Sequence, residues 1–297
     1  MTGFALSFLS VILISKFMNK ISLESIIRLA LQEDIQKGDV TTNSIVSPKS
    51  GSRAIIFSKE NAILSGVEVA AEVFRHLDKK IKLRIHAKDG DRIKKNAPVI
   101  TLKGHSRAIL TGERTALNFL SYLSGIATTT RSFVDKIRPY KAQILDTRKT
   151  TPTLRFLERY AVRCGGGHNH RDNLSEMAMI KDNHWLCSEN ESIVNVVKKL
   201  RNNTDVAIVV EVDSLTQLKD ALQSPADVIL LDNMKPETVR KAISMRKQFK
   251  SSVLLEVSGG IHIGNVRGYA QTGVDRISIG SLTQSRQAID FSMELVP

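Results

Sequence analysis

Arg148-Lys149, His170-Arg171 and Lys181 form three short polar clusters, each close to an apolar run. A surface kept merely soluble mixes its charges; here cations are concentrated. Arginine forks onto carboxylate and phosphate oxygens through paired N–H bonds, so the pattern suits a small ligand with several negative charges. Two carboxylates, Glu211 and Asp232, each close another apolar run. A carboxylate there is costly unless it meets a cation. That cation is either a nearby Lys or Arg, or Mg2+, which takes one or two carboxylates plus water and substrate phosphates. Ser258-Gly259-Gly260 and Gly280-Ser281 expose backbone N–H groups that can cradle a phosphate. A helix expected at 262–271 and a C-terminal turn follow them, and a helix start favours an anion.

These residues need elements to hold them. Residues 21–33 have Leu23, Ile26, Ile27, Ala30 and Leu31 at helical spacing. A turn at Lys37-Gly38-Asp39 follows. Residues 52–57 and 81–86 alternate as strands, with a helix at 67–77 between them. His86–Ile93 and Pro98–Leu102 read as two short strands around an Asp-Gly turn. This stretch resembles the hammerhead of lipoyl-carrier domains, but it has no Lys placed for modification at a hairpin tip, so it reads as scaffold. A helix is expected over 113–124.

Beyond it, apolar runs alternate with amphipathic helices: 143–145, 178–180, 207–210, 228–231, 253–257 and 276–279. Ser188 with Glu191, and Ser214 with Gln217, have capping-box spacing. Pro236 suits a first helical turn. Strand–helix alternation implies a parallel sheet with right-handed crossovers, and six buried runs favour a barrel over an open sheet. In such a barrel all strand ends open on one face, so the separated clusters converge on one pocket.

The net charge of +13 implies negatively charged partners. Aromatic content of 5% with one Trp supplies few stacking platforms for single-stranded nucleic acid. A basic nucleic-acid-binding protein is the rival reading from another class, but many of the cations fall in the pocket clusters. Cys164 and Cys187 lack metal-ligand spacing and read as free thiols in a reducing cytosol. Cys164, followed by Gly165-Gly166-Gly167, stays open as a nucleophile. Residues 3–14 are apolar but too short to span a bilayer. With Met18 just before the first helix, residues 1–17 are expected to be an upstream translation extension or a loosely packed appendage.

Taken together the motifs closely resemble the quinolinate phosphoribosyltransferase family, also called carboxylating nicotinate-nucleotide pyrophosphorylases. The resemblance rests on Leu31–Asp34 with Gly38–Thr42, Gly112–Asn118, Ser124–Thr128, Asp146–Thr150, Gly165–Arg171 and Ile180–His184. It continues through Leu231–Asn233, Ser258–Ile261 and Gly273–Gly280. It implies an α/β protein with an N-terminal α+β open sandwich (18–127) and an incomplete α/β barrel (128–285), with 286–297 packing back on the first domain. It implies a cytoplasmic homodimer or larger assembly, with no membrane or nucleic-acid partner. The implied substrates are quinolinate and phosphoribosyl pyrophosphate, with Mg2+.

By the same resemblance Arg148, His170, Arg171 and a neighbouring subunit's copy of Arg114 line the dicarboxylate pocket, and Thr147 joins the binding set. Lys149 and Lys181 face the diphosphate and the carboxylate to be lost. Glu211 and Asp232 hold the ribose hydroxyls and Mg2+, and Ser258, Gly259, Gly260, Gly280 and Ser281 cradle the 5′-phosphate. Lys149, Lys181, Glu211 and Asp232 form the catalytic set. Gln36, Thr153 and Gln284 depart from the family's usual Gly, Gly and His. Rivals on the same fold are the ModD-type paralogues linked to molybdenum transport and the nicotinate phosphoribosyltransferases, which need to grip only one carboxylate.

Overall fold

The computed structural model describes residues 23–188 and 191–296; the apolar stretch at 1–17 lies outside them. The chain groups into two compact units. One contains the described residues up to Arg131, Thr151–Gly166 and those from Ser285 on; the other contains Ser132–Thr150 and Gly167–Gln284.

In the first unit, helix Leu23–Ile35 buries Leu23, Ile26, Ile27 and Leu31 along one stripe. The expected turn at 37–39 leads into a short helix, Val40–Ile45, capped by Asp39, whose Oδ1 accepts the Thr42 N–H at 2.9 Å. Strands β1 (Gly51–Ser58), β2 (Ala62–Ile63), β3 (Lys82–Ile85), β4 (Arg92–Ile93) and β5 (Pro98–His105) follow. Helix Val67–Leu77 lies between β2 and β3. The C-terminal strand β12 (Phe291–Val296) completes an antiparallel sheet in the order β12-β1-β5-β3. Its register sets Ile56 against Ile100 and Ala54 against Leu102, all fully buried.

The expected Asp-Gly hairpin does not form. β3 pairs with β5, and β4 pairs with β2 instead. Asp89 serves a helix rather than a hairpin. Its Oδ1 accepts the Val67 N–H at 3.0 Å, capping a helix whose N-cap, Gly66, offers no side chain. The helix expected at 113–124 runs from Ser106 to Lys136.

The second unit is built on β6 (Gln143–Leu145), β7 (Met177–Ile180), β8 (Ala207–Val212), β9 (Val228–Asp232), β10 (Leu254–Ser258) and β11 (Arg276–Ser278). They form a parallel sheet in the order β6-β11-β10-β9-β8-β7. β6 and β7 end the order. The nearest approach to closure is a single bridge between Leu145 and His168, so the barrel is incomplete. Helix starts follow the sequence signals at Ser214, which accepts the Gln217 N–H, and at Pro236. The Ser188 signal is wrong: the helix begins at Ile193, and Ser192 accepts the Asn195 N–H at 3.3 Å.

The pairing register sorts the strands into two faces. Ile208, Val210, Ile229, Leu231, Leu255, Val257 and Ile277 share one face and are buried. On the other face, Met177, Met179, Val209, Val228, Leu230 and Leu254 pack into one apolar cluster. Glu211, Asp232, Glu256, Ser258 and Ser278 continue that same face toward the strand C-termini, because residues two apart project alike. An apolar floor thus carries a polar rim.

Candidate active site

The β6 end turns sharply through Asp146–Thr150. Asp146 is fully buried. One of its oxygens accepts the His170 N–H at 2.7 Å and the other the Asn169 Nδ2–H at 2.6 Å. This carboxylate therefore ties the Asn169–Arg171 loop to β6. Arg171 is buried, its NH1 donating to the Met177 carbonyl at 2.9 Å. Burial, and then the Arg148 charge beside it, push the Arg171 guanidinium below its ordinary pKa. Arg148 is half-buried, and its Nε is enclosed without a hydrogen-bond partner among the described residues. Two like charges held side by side, one desolvated, make a strong anion-binding seat.

Lys149 is exposed. Thr147 Oγ1 accepts its N–H at 3.1 Å, and Thr283 Oγ1 donates to its carbonyl at 2.7 Å. The turn is thereby fastened to the short helix Ser281–Gln284 that follows β11. A Cβ on Gly280 would stand 3.0 Å from Lys149 Cδ and 3.5 Å from Gln284 Oε1, so the lysine stem crowds that glycine and Gln284 lies in ordinary contact.

Lys181 follows β7 directly, and its Nζ lies 2.8 Å from Glu211 Oε2. The register explains this: Ile180 pairs with Val210, so the next residues are neighbours. The Lys181 N–H also donates to His184 Nδ1 at 3.0 Å, bracing the turn. Glu211's first partner is therefore a lysine. Asp232 accepts from Asn233 Nδ2 at 2.7 Å. The two carboxylates sit on adjacent strands and offer hard oxygen donors. Among the described residues no group of three or more His, Cys, Asp or Glu could hold a metal. Two carboxylates alone are the complement that Mg2+ uses where water and phosphate oxygens complete its shell.

The Ser258-Gly259-Gly260 turn needs its glycines. Gly259 has φ 94°, and a Cβ there would stand 2.1 Å from Asn233 Oδ1. Gly260 has φ 61° and opens on free space. The helix expected at 262–271 is shorter, Val266–Ala270. Asn265 takes up the intervening backbone, donating to the Gly260 carbonyl at 3.0 Å and accepting the His262 N–H at 2.8 Å. Ser281 opens a four-residue helix. With helices this short, a phosphate seat here rests on the turns' N–H groups, not on a helix dipole.

Thr147, Arg148, Lys149, Lys181, Glu211, Asp232, Ser258, Gly259, Gly260, Gly280 and Ser281 fall on the second unit's strand ends or just after them, while His170 and Arg171 lie in the loop that leads into β7. Arg114 belongs to neither set: it stands exposed on helix Ser106–Lys136 in the first unit. Sequence reasoning missed Glu256. This fully buried carboxylate on β10 stands 3.2 Å from His170 Nε2 and accepts Ser278 Oγ–H at 2.6 Å. A lone Glu inside an otherwise apolar run was the available signal. Cys164 does not suit nucleophilic work, since burial and then the nearby Asp89 charge push its thiol up to about 12.

The family model described as quinolinate phosphoribosyl transferase, N-terminal domain, matches residues 39–124, and the C-terminal domain model matches residues 126–294. A probable carboxylating nicotinate-nucleotide pyrophosphorylase of Bacillus subtilis is 41% identical over 280 residues, 94% of this chain and 95% of that protein. The Mycobacterium leprae protein of that name is 40% identical over 275 residues, 91% of this chain and 95% of its own. Among solved structures, the Francisella tularensis nicotinate-nucleotide pyrophosphorylase superposes with TM-score 0.89 at 39% identity, covering 95% of this chain and 99% of that one. Human nicotinic acid phosphoribosyltransferase, at TM-score 0.59 and 13% identity over 91% of this chain and 73% of that one, shares the fold alone.

Proposed function

The chain belongs to the quinolinate phosphoribosyltransferase family, the carboxylating nicotinate-nucleotide pyrophosphorylases of NAD biosynthesis, and from that premise we propose how its site carries the transfer. The reaction converts quinolinate and phosphoribosyl pyrophosphate to nicotinate mononucleotide, CO2 and pyrophosphate. The observation that carries the assignment of residues is the pairing of Arg148 with buried Arg171, which suits a ligand with two adjacent carboxylates.

Arg148 and Arg171 grip the quinolinate carboxylates, with His170 lining the same pocket. Lys149 and Lys181 face the diphosphate and the 2-carboxylate. Glu211 and Asp232 hold the ribose hydroxyls. The Gly259-Gly260 and Gly280-Ser281 turns, with Ser258 and Thr147, receive the 5′-phosphate. The pyridine nitrogen attacks the anomeric carbon as pyrophosphate leaves with the C–O bonding pair. These residues contribute alignment and stabilisation of the departing charge. The resulting pyridinium accepts the electron pair released when the 2-carboxylate departs as CO2, and a solvent proton then fills that ring position. No protein nucleophile is required. Bound Mg2+, held by Glu211 and Asp232, would neutralise diphosphate charge.

The dicarboxylate pocket is completed by Arg114 from a second subunit, which makes the working form at least a dimer. Its exposure on a long rigid helix supports this reading. The compartment this reading implies is the cytoplasm, in keeping with two free cysteines. No helix among the described residues is long and apolar enough to cross a membrane.

Arg148→Ala and Arg171→Ala are each expected to lower kcat/KM for quinolinate by about a hundredfold or more, the scale of losing a charge-stabilising donor, with circular dichroism unchanged. Full activity in either variant would remove the pocket assignment.

A further inference from the structure

His170 hydrogen-bonds the protein through Nδ1, and its buried Nε2 meets Glu256 at ion-pair distance without hydrogen-bond geometry. Nδ1 accepts the Arg171 N–H at 2.7 Å, so Nδ1 is unprotonated and the ring proton sits on Nε2. Nε2 faces Glu256, 3.2 Å from Oε1. That oxygen also accepts Ser278 Oγ–H at 2.6 Å. His170 is itself anchored, its backbone N–H donating to Asp146 Oδ1 at 2.7 Å.

Glu256 has no exposed surface, so it cannot touch a substrate in the pocket. Its Oε2 is buried without a hydrogen-bond partner among the described residues. Burying such a group is unfavourable, and an apolar side chain facing neighbouring Leu230 would fill the position at less cost. What Glu256 provides is a fixed negative charge opposite His170 Nε2. That charge favours one tautomer and one orientation of the ring, and the ring's other nitrogen sets the Arg171 backbone.

Resting on the assignment of Arg171 to the quinolinate pocket, we propose that Glu256 and His170 are positioning residues that act through Arg171. Glu256 orients the imidazole, the imidazole orients the Arg171 backbone, and the Arg171 guanidinium meets the substrate. His170 contributes to quinolinate binding through Nδ1 and the chain, not through a bond from Nε2 to the substrate. A carboxylate-binding arginine displaced by a fraction of an ångström weakens a bidentate grip, so the relay tunes quinolinate affinity and leaves the phosphoribosyl side alone.

The test compares variants of the full chain by calorimetric quinolinate affinity and by steady-state kinetics. Glu256→Gln keeps the size and an acceptor for Ser278 but removes the charge. Its quinolinate Kd and KM are expected to rise about tenfold, with KM for phosphoribosyl pyrophosphate within about twofold of the parent and little change in Tm. His170→Asn places an amide oxygen near the Nδ1 position and lacks Nε2. It is expected to lose less quinolinate affinity than His170→Leu, which loses at least as much as Glu256→Gln. Adding Glu256→Gln to His170→Asn is expected to cost nothing further, because the ring it orients is gone.

Unchanged quinolinate affinity in Glu256→Gln overturns the proposal. So does an equal loss for both substrates together with a lowered Tm, which marks a merely structural carboxylate. His170→Asn falling as far as His170→Leu overturns it too, in favour of direct contact through Nε2. Arg171→Ala separates this inference from the reading beneath it: normal quinolinate binding there removes the pocket assignment itself, and the relay with it.

Discussion

Gly259→Ala tests whether the turn after β10 is held by Asn233. At φ 94° an L-residue is strained by about 1–3 kcal/mol. The new methyl would also stand 2.1 Å from Asn233 Oδ1 and 3.0 Å from the Asn233 backbone nitrogen. The Asn233 side chain must swing away and give up its bond to Asp232 Oδ2. Losing this exposed hydrogen bond to a charged group costs about 1 kcal/mol, less than the usual ~1.5–3 kcal/mol because water replaces it. The sum is about 3 kcal/mol. Gly260→Ala is the internal control: φ is 61° and its Cβ meets nothing within 4 Å, so it carries only backbone strain of about 1 kcal/mol. Differential scanning calorimetry should place Gly259→Ala about 5 °C below Gly260→Ala, using roughly 2–4 °C per kcal/mol for a unit of this size. KM for phosphoribosyl pyrophosphate should rise more in Gly259→Ala, because Asp232 loses its brace. Equal melting temperatures for the two variants would refute the reasoning.

Thr153 is exposed at φ 70°, a backbone that glycine adopts freely. Thr153→Gly relieves about 1–2 kcal/mol of strain against an entropic cost of roughly 0.5–1 kcal/mol. Urea unfolding should show a gain of up to about 1 kcal/mol; a clear loss contradicts the strain assignment. At alkaline pH, burial and then Asp89 push the Cys164 thiol up to about 12, and burial and then the bond to Glu158 push the Tyr122 phenol up to about 12. Both folded-state values are raised, so the neutral forms stabilise the fold fully below about pH 9, and that contribution fades as pH climbs toward 12. Denaturant midpoints should fall steadily between pH 9 and 11, and at pH 8 a thiol reagent should label exposed Cys187 well before Cys164. A flat midpoint across that range, or preferential labelling of Cys164, contradicts the burial argument.

The barrel strands were legible because most are runs of buried β-branched and aliphatic residues, and each is ended by a charge or a glycine. The predicted run at 143–145 coincides with β6, and the others differ from their strands by at most two residues at an end. Their termini carry most of the residues proposed for the site, so those residues could be named before any geometry. Helix Ser106–Lys136 was under-read because Thr111, Gly112 and Gly125 weaken the helical signal. Those glycines serve packing. A Cβ on Gly112 would come 2.9 Å from Leu77 and one on Gly125 would come 2.2 Å from the Gln287 carbonyl. The Asp89-Gly90 pair suggested a hairpin because local turn chemistry cannot reveal that the aspartate caps a helix distant in sequence. Glu256 stayed hidden for a related reason: a strand pattern gives its face, but not that His170 and Ser278 meet it there. Gln36 and Thr153, noted from sequence as standing where relatives usually have glycine, prove to sit at positive φ of 44° and 70°.

The central claim is tested most directly by supplying the purified protein with phosphoribosyl pyrophosphate, Mg2+ and either quinolinate or nicotinate, and measuring CO2 and nicotinate mononucleotide. With quinolinate, CO2 and nicotinate mononucleotide are predicted in equal amounts, and nicotinate is predicted to give little product because it leaves one arginine of the pair unengaged. Turnover of nicotinate as fast as quinolinate, or no CO2 from quinolinate, would contradict the account.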